Sequence, residues 1–224
     1  MQQKKLLLIL ALLCAVVQGA KAQDFDVWDG HSETKPEFTY NQDENRYIWG
    51  INLEINTAAE LAWVMNHYDE AVFSFNYGGF WTRKWLTEPA YKCNININAN
   101  IDMTAGEWIP LGKKNKIEYG RLVSDGCTFN GKGHTIRIKI DNESDDNYQG
   151  LFYEINNRSS VKNLHLDGKI KVDNARLVGG IVAENYGTIE NCFVSADVES
   201  NHYSAYDADL GGVAGMNYGK IKYC

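Results

Sequence analysis

The chain has 224 residues, 44% of them hydrophobic and 12% aromatic, with only three prolines. That composition excludes a disordered polar chain and supports a sizeable core. A net charge of −7 argues against nucleic acid and anionic membrane surfaces as partners.

Residues 1–22 read as a secretory signal. Lys4 and Lys5 open it, Leu6 to Val17 form its apolar core, and Ala20-Lys21-Ala22 is a small-x-small cleavage site. The apolar run is shorter than the ~20 residues a membrane span needs, and no later stretch is long and apolar enough to be a transmembrane segment. Leu13 stands before Cys14, where a lipid-anchor signal has a small residue, so Cys14 reads as part of the apolar core. Loss of the signal removes three lysines and leaves 19 basic and 29 acidic residues, a net of −10. The expected location is extracellular or on the outer cell surface.

Residues 23–92 read as a linker and N-terminal cap, and 93–224 as repeats. Asp24, Asp26 and Asp29 suit an acidic linker. Thr57-Ala58-Ala59-Glu60 is a capping-box pattern. It opens a short helix with Leu61, Val64, Met65 and Tyr68 on one face. An aromatic stretch follows, with Phe73, Phe75, Tyr77, Phe80, Trp81 and Trp85 interleaved with Arg83 and Lys84. Such rings either seal the end of the repeats or, where exposed, anchor a glycan or protein partner. Tyr77, Phe80, Trp81 and Trp85 are therefore candidate ligand-binding residues.

From Asn94 to Met103 the chain alternates, with Ile95, Ile97, Ala99, Ile101 and Met103 on one face and mostly Asn on the other. Thr135 to Ile140 alternates likewise. Both patterns predict half-buried strands. His134, at a Gly-rich corner, reads as a backbone-bonded histidine ahead of a general base. Asp141, Glu143, Asp145 and Asp146 share one turn. Calcium is a possible ligand there, but the turn lacks the ordered spacing and central Gly of a calcium loop, so a solvated turn is expected.

The strongest pattern comes last. Residues 179–192 realign without a gap on 211–224, and seven of the 14 positions are identical. Gly179 meets Gly211, Gly180 meets Gly212, Asn185 meets Asn217, Tyr186 meets Tyr218, Gly187 meets Gly219, Ile189 meets Ile221 and Cys192 meets Cys224. The offset is 32; a further alignment, Val161–Val172 on Ile189–Ser200, has an offset of 28, so residues 202–207 read as a variable excursion. Short strands repeated in this way bury a core only by stacking in coils. The fold class is all-β, a parallel β-helix-like solenoid with one short helix in its N-terminal cap. The Gly179-Gly180 and Gly211-Gly212 pairs are expected as equivalent structural corners. Asn185 and Asn217 suit corners too, and Gly187 and Gly219 are expected to supply positive φ after them. Tyr186 and Tyr218 should stack on one edge and form a ridge. Cys192 and Cys224 fall where Leu164 falls one coil earlier. They are expected as stacked buried thiols, with a disulfide allowed by Cα spacing. The chain stops at Cys224 within a repeat, as a fragment would. A bare coil there would favour self-association.

With Gly179–Cys192, Gly211–Cys224 and the preceding Phe129–Ile136, Gly150–Phe152 and Val161–Leu164 rung, the chain resembles the GLUG-repeat family of secreted and surface bacterial proteins. It departs from the motif at Ala183 and Ala214. The resemblance implies a right-handed β-helix-like fold and adhesin-like relatives. It also implies that such repeats occur as accessory segments of immunoglobulin A-cleaving metallopeptidases. No His-Glu-x-x-His, Gly-x-Ser-x-Gly, P-loop or Cys-x-x-Cys motif is in the sequence. The expected function is a secreted or surface repeat protein that binds extracellular glycans or host proteins, with no cofactor. The alternatives are a polysaccharide-degrading β-helix, the front of a larger hydrolase, or a spacer.

Overall fold

The structure is a computed structural model that describes residues 24–42, 48–67, 92–112, 127–142, 147–201 and 209–224. The readings at 1–22, at Tyr68, at Tyr77, Phe80, Trp81 and Trp85, at 143–146 and at 202–207 lie outside these residues.

The chain begins with β1 (Phe25–Val27), β2 (Glu37–Gln42), β3 (Ile48–Ile55) and α1 (Ala58–Asn66). Next come β4 (Lys92–Ile97), β5 (Asn100–Asp102), β6 (Cys127–Asn130), β7 (Thr135–Asn142), β8 (Tyr148–Gln149) and β9 (Phe152–Ile155). Then follow β10 (Ser160–Lys162), β11 (His165–Asp173), β12 (Leu177–Gly179), β13 (Val182–Asn185), β14 (Thr188–Glu190), β15 (Phe193–Val194) and β16 (Asp197–Asn201). The described chain closes with β17 (Asp209–Gly211), β18 (Ala214–Asn217) and β19 (Lys220–Lys222).

These strands stack into a β-solenoid. A seven-stranded sheet runs β2-β3-β4-β6-β10-β14-β19, and a six-stranded sheet runs β1-β5-β7-β11-β15, with β16 also on β11. Two three-stranded sheets, β8-β12-β17 and β9-β13-β18, complete the coils. Parallel pairing already begins upstream of residue 93, in β1 against β5 and β3 against β4. Among the described strands only β2 runs antiparallel to its neighbour, β3, and it carries a register shift at Asn41/Gln42.

Alternation along each strand becomes a column across the coils. Leu53, Ile95, Phe129, Val161, Ile189 and Ile221 are successive register partners, and all but Ile221 are buried. The six-stranded sheet repeats the device with Ile101, Ile136, Leu166 and Val194. Each fully buried aliphatic side chain stabilises the fold by about 1.5–3 kcal/mol relative to an exposed one. The 28- and 32-residue offsets read from the sequence are the observed registers, His165 on Phe193 and Thr188 on Lys220.

The cap is built as its sequence directs. Thr57 Oγ1 accepts from the Glu60 N–H, and Glu60 reaches back to the Thr57 N–H. Asp26 of β1 accepts from the Ala58 N–H, so the acidic N-terminal segment is a strand that caps a helix and not a linker. Leu61 to Met65 join the same core as the coils. Trp63 packs edge-on against Phe38, ring centroids 5.9 Å apart.

Four local expectations are corrected. The run from Asn94 to Met103 is two strands in different sheets, with a corner at Asn98-Ala99. A two-residue corner preserves in–out alternation, so a period of two reads straight through it. Gly187 and Gly219 do not have positive φ; Asn163, Asn191 and Tyr223, which align with one another, do. Gly187 is required by close approach instead: a Cβ there would lie 2.4 Å from Ser159 O. Gly212 is not the structural equivalent of Gly180 that the alignment predicts. Gly180 is buried, and a Cβ on it would run into Gly212 O of the next coil. Gly212 is exposed, lacks positive φ and has nothing within 4 Å of where a Cβ would sit, because it belongs to the last described coil. Its backbone closes the packing of Gly180, but no contact or torsion at Gly212 itself demands glycine. Finally, Cys192 is buried but Cys224 is exposed, since no described strand stacks beyond β19.

Candidate functional site

Of the ligand-binding candidates read from the sequence, Tyr186 and Tyr218 lie among the described residues, and the fold brings them together. Each follows an Asn that ends a strand, Asn185 on β13 and Asn217 on β18. Asn185 is buried. Its Oδ1 accepts from the Gly187 N–H at 3.0 Å, and its Nδ2 donates to Asn217 Oδ1 at 2.7 Å. That amide link fixes the corner and its spacing to the next coil. The rings then stack at 5.1 Å with an interplanar angle of 12°. Tyr186 is 41% and Tyr218 62% exposed. Because the rings face each other, the ridge offers edges, hydroxyls and the outer face of Tyr218. The Tyr186 hydroxyl donates to Glu184 Oε1 at 2.8 Å, which pushes its pKa up to about 12. Glu184 is in register with Glu154 one coil earlier, where Tyr148 and Tyr153 form a second stacked pair at 4.7 Å. Burial, followed by the charge of Glu184, raises the Tyr148 pKa.

A second constellation was missed in the sequence. On the outer face of the six-stranded sheet, His165 Nε2 is 2.8 Å from Ser195 Oγ, and Ser195 Oγ donates to Asp167 Oδ1 at 3.2 Å. His165 Nδ1 lies 3.1 Å from Thr135 Oγ1. Arg137 Nε donates to Asp167 Oδ2 at 2.8 Å, and its guanidinium lies 3.9 Å from the centre of the Phe25 ring. Burial raises the Asp167 pKa, but hydrogen bonds from Arg137, the Gly168 N–H and Ser195 outweigh it and leave a net lowering. In a serine nucleophile the carboxylate orients the far side of the histidine. Here it accepts the serine hydroxyl's hydrogen bond itself, so His165 serves as donor to Ser195, and the set ties β7 and β11 to the turn after β15. The 28-residue offset carried the signal, since it places Asp167 beside Ser195 and His165 beside Phe193.

Lys162, Glu190 and Lys222 are in register on the outer face of the seven-stranded sheet, as their alignment indicates. Asp141, expected in a turn with Glu143, Asp145 and Asp146, instead lies near the end of strand β7, with Oδ2 3.8 Å from Lys169 Nζ. Among the described residues no group of three or more His, Cys, Asp or Glu is placed to hold a metal. No helix among them is long and apolar enough to cross a membrane.

Stacked parallel coils with glycine-defined corners and an asparagine–tyrosine edge define a β-solenoid repeat protein. Residues 174–199 match the GLUG motif, so the solenoid carries a GLUG repeat. A relative from Evansella cellulosilytica, named as a Gly-rich membrane protein, is 30% identical over 188 residues. That alignment covers 83% of this chain and 18% of the relative, so the chain spans less than a fifth of the relative's length. No solved structure matches.

Proposed function

We propose that this is an exported, surface-exposed bacterial repeat protein whose solenoid binds extracellular glycans or host proteins. The observation that carries this reading is the exposed Tyr186/Tyr218 ridge, a stacked pair of rings that spans two coils on the solenoid surface. The similarity to a membrane protein supports a surface setting. Repeat solenoids present extended rigid faces of this kind to partners. The aromatic stretch with Tyr77, Phe80, Trp81 and Trp85 is the second part of the proposed surface. The coil ending at Cys224 is proposed as a face for self-association.

The ridge turns ring edges and hydroxyls outward, so recognition through it depends on hydrogen bonding. Tyr186→Phe/Tyr218→Phe should therefore lower retention on immobilised mucin as much as the double alanine variant. Retention unchanged in both ridge variants and in Trp81→Ala/Trp85→Ala would overturn the reading. A second reading, as the non-catalytic front of a larger hydrolase, is favoured by the small share of the relative that the chain spans. Polysaccharide turnover by the longer polypeptide, unaffected by loss of the ridge, would select it.

A further inference from the structure

The four cysteines among the described residues occupy two columns, and within each column they are neighbours. Cys93 on β4 and Cys127 on β6 are direct register partners. Cys192 and Cys224 each stand two residues beyond a register pair, Glu190 on Lys222. Their thiols are also oriented alike. Cys192 Sγ is 3.4 Å from Glu190 O and 3.8 Å from Val161 O. Cys224 Sγ is 3.1 Å from Lys222 O and 3.9 Å from Ile189 O, the matching carbonyls one coil on. The two thiols act on each other, since Cys224 is among the groups that raise the Cys192 pKa. One coil earlier the same site holds a buried leucine, Leu164, so packing alone does not demand sulfur at two successive coils.

We propose that Cys192 and Cys224 are a modification site, closing a disulfide between consecutive coils in an oxidising compartment. Neighbouring rungs are about 4.8 Å apart, inside the ~4.4–6.8 Å Cα range of disulfides. Side chains on parallel neighbours must draw together by a few tenths of an ångström to reach the Cβ spacing of a disulfide, so the bond is readily reduced. The oxidant is a small or protein disulfide. The Cys224 thiolate attacks one of its sulfurs, forms a mixed disulfide and releases a thiolate. Cys192 then loses its proton to solvent and attacks the Cys224 sulfur, releasing the second thiolate. Two protons and two electrons leave the pair, and the oxidant becomes two thiols. Burial, with the neighbouring Cys224, pushes the Cys192 pKa up to about 11, which makes the second step slow near neutrality.

The test treats the full chain with glutathione disulfide and maps its peptides without reduction. The expected product links the peptides of Cys192 and Cys224, leaves neither thiol open to alkylation, and is undone by reductant. Cys192→Ser should instead stop at a glutathione adduct on Cys224. Amide exchange across Asp209–Lys222 should slow about tenfold or more on oxidation of the wild type, because the cross-link restricts opening of that coil. Wild type that stops at the glutathione adduct, or keeps both thiols alkylatable, would overturn the proposal. Cys93→Ser/Cys127→Ser should form the same link; if it does not, the observed oxidation belonged to the other pair.

Discussion

Glu184 does at the level of single residues what the repeat does for whole coils: it fixes where a neighbour points. Its carboxylate holds the Tyr186 hydroxyl in its neutral form, so this contribution to stability is complete below pH 10 and is lost as pH rises toward about 12. Glu184→Gln should bring one phenol's ionisation back toward the ordinary range, read by ultraviolet titration against wild type. Asp167 works in the opposite sense. Its lowered pKa makes its bonds to Arg137 and Ser195 stabilising above the unfolded value of 3.8, and they fade as pH falls through the folded value. Asp167→Asn should flatten the acid limb of stability in urea titrations over that range. Neither pairing was visible from residue type alone. The 28-residue offset places Asp167 beside Ser195, whereas Glu184 meets the Tyr186 hydroxyl two residues on within one coil, at the corner that Asn185 fixes.

Among the elements, glycines carry information that the sequence states ambiguously. A Gly after an Asn at a corner reads as a site of positive φ, yet Gly187 is held to glycine by the backbone of the preceding coil, with Asn156 O and Ser159 O within 2.5 Å of where a Cβ would sit. Gly187→Ala should destabilise the chain by about 1–3 kcal/mol through overpacking, measured by urea denaturation. Identity between repeats is no guide to such a requirement, since Gly212 copies Gly180 in sequence and has open space where Gly180 has backbone. At the corner before Leu164 and Cys192 the left-handed residues are Asn163 and Asn191, and the bulky Tyr223 takes the same conformation in the third coil. Asn tolerates that region, and Tyr does so at a cost. Strand existence and period were legible because alternation follows directly from burial. Strand ends were not, because a short corner leaves alternation intact, as at Asn98-Ala99.

At the scale of the molecule, the coil architecture follows from the repeat offset, and the capping helix from its capping box. What sequence pattern did not reveal was how the N-terminal segment is used. Asp24, Asp26 and Asp29 look like an acidic leader, but β1 starts the six-stranded sheet and Asp26 joins it to α1. Asp26→Ala should cost about 1 kcal/mol, as loss of a helix cap does, and lower the urea midpoint of the whole cooperative unit. An effect confined to helix fraying would show that the cap and the coils unfold separately.

The reversed, bulged strand β2 has a consequence for assembly. A parallel solenoid offers each coil as a template for another, and copies of the same chain could add to either end without limit. Among the described strands β2 is the N-terminal edge of this sheet, and its register shift at Asn41/Gln42 twists that edge and breaks the even ladder an added strand would need. Edge-to-edge addition to this sheet is thereby disfavoured on its N-terminal side.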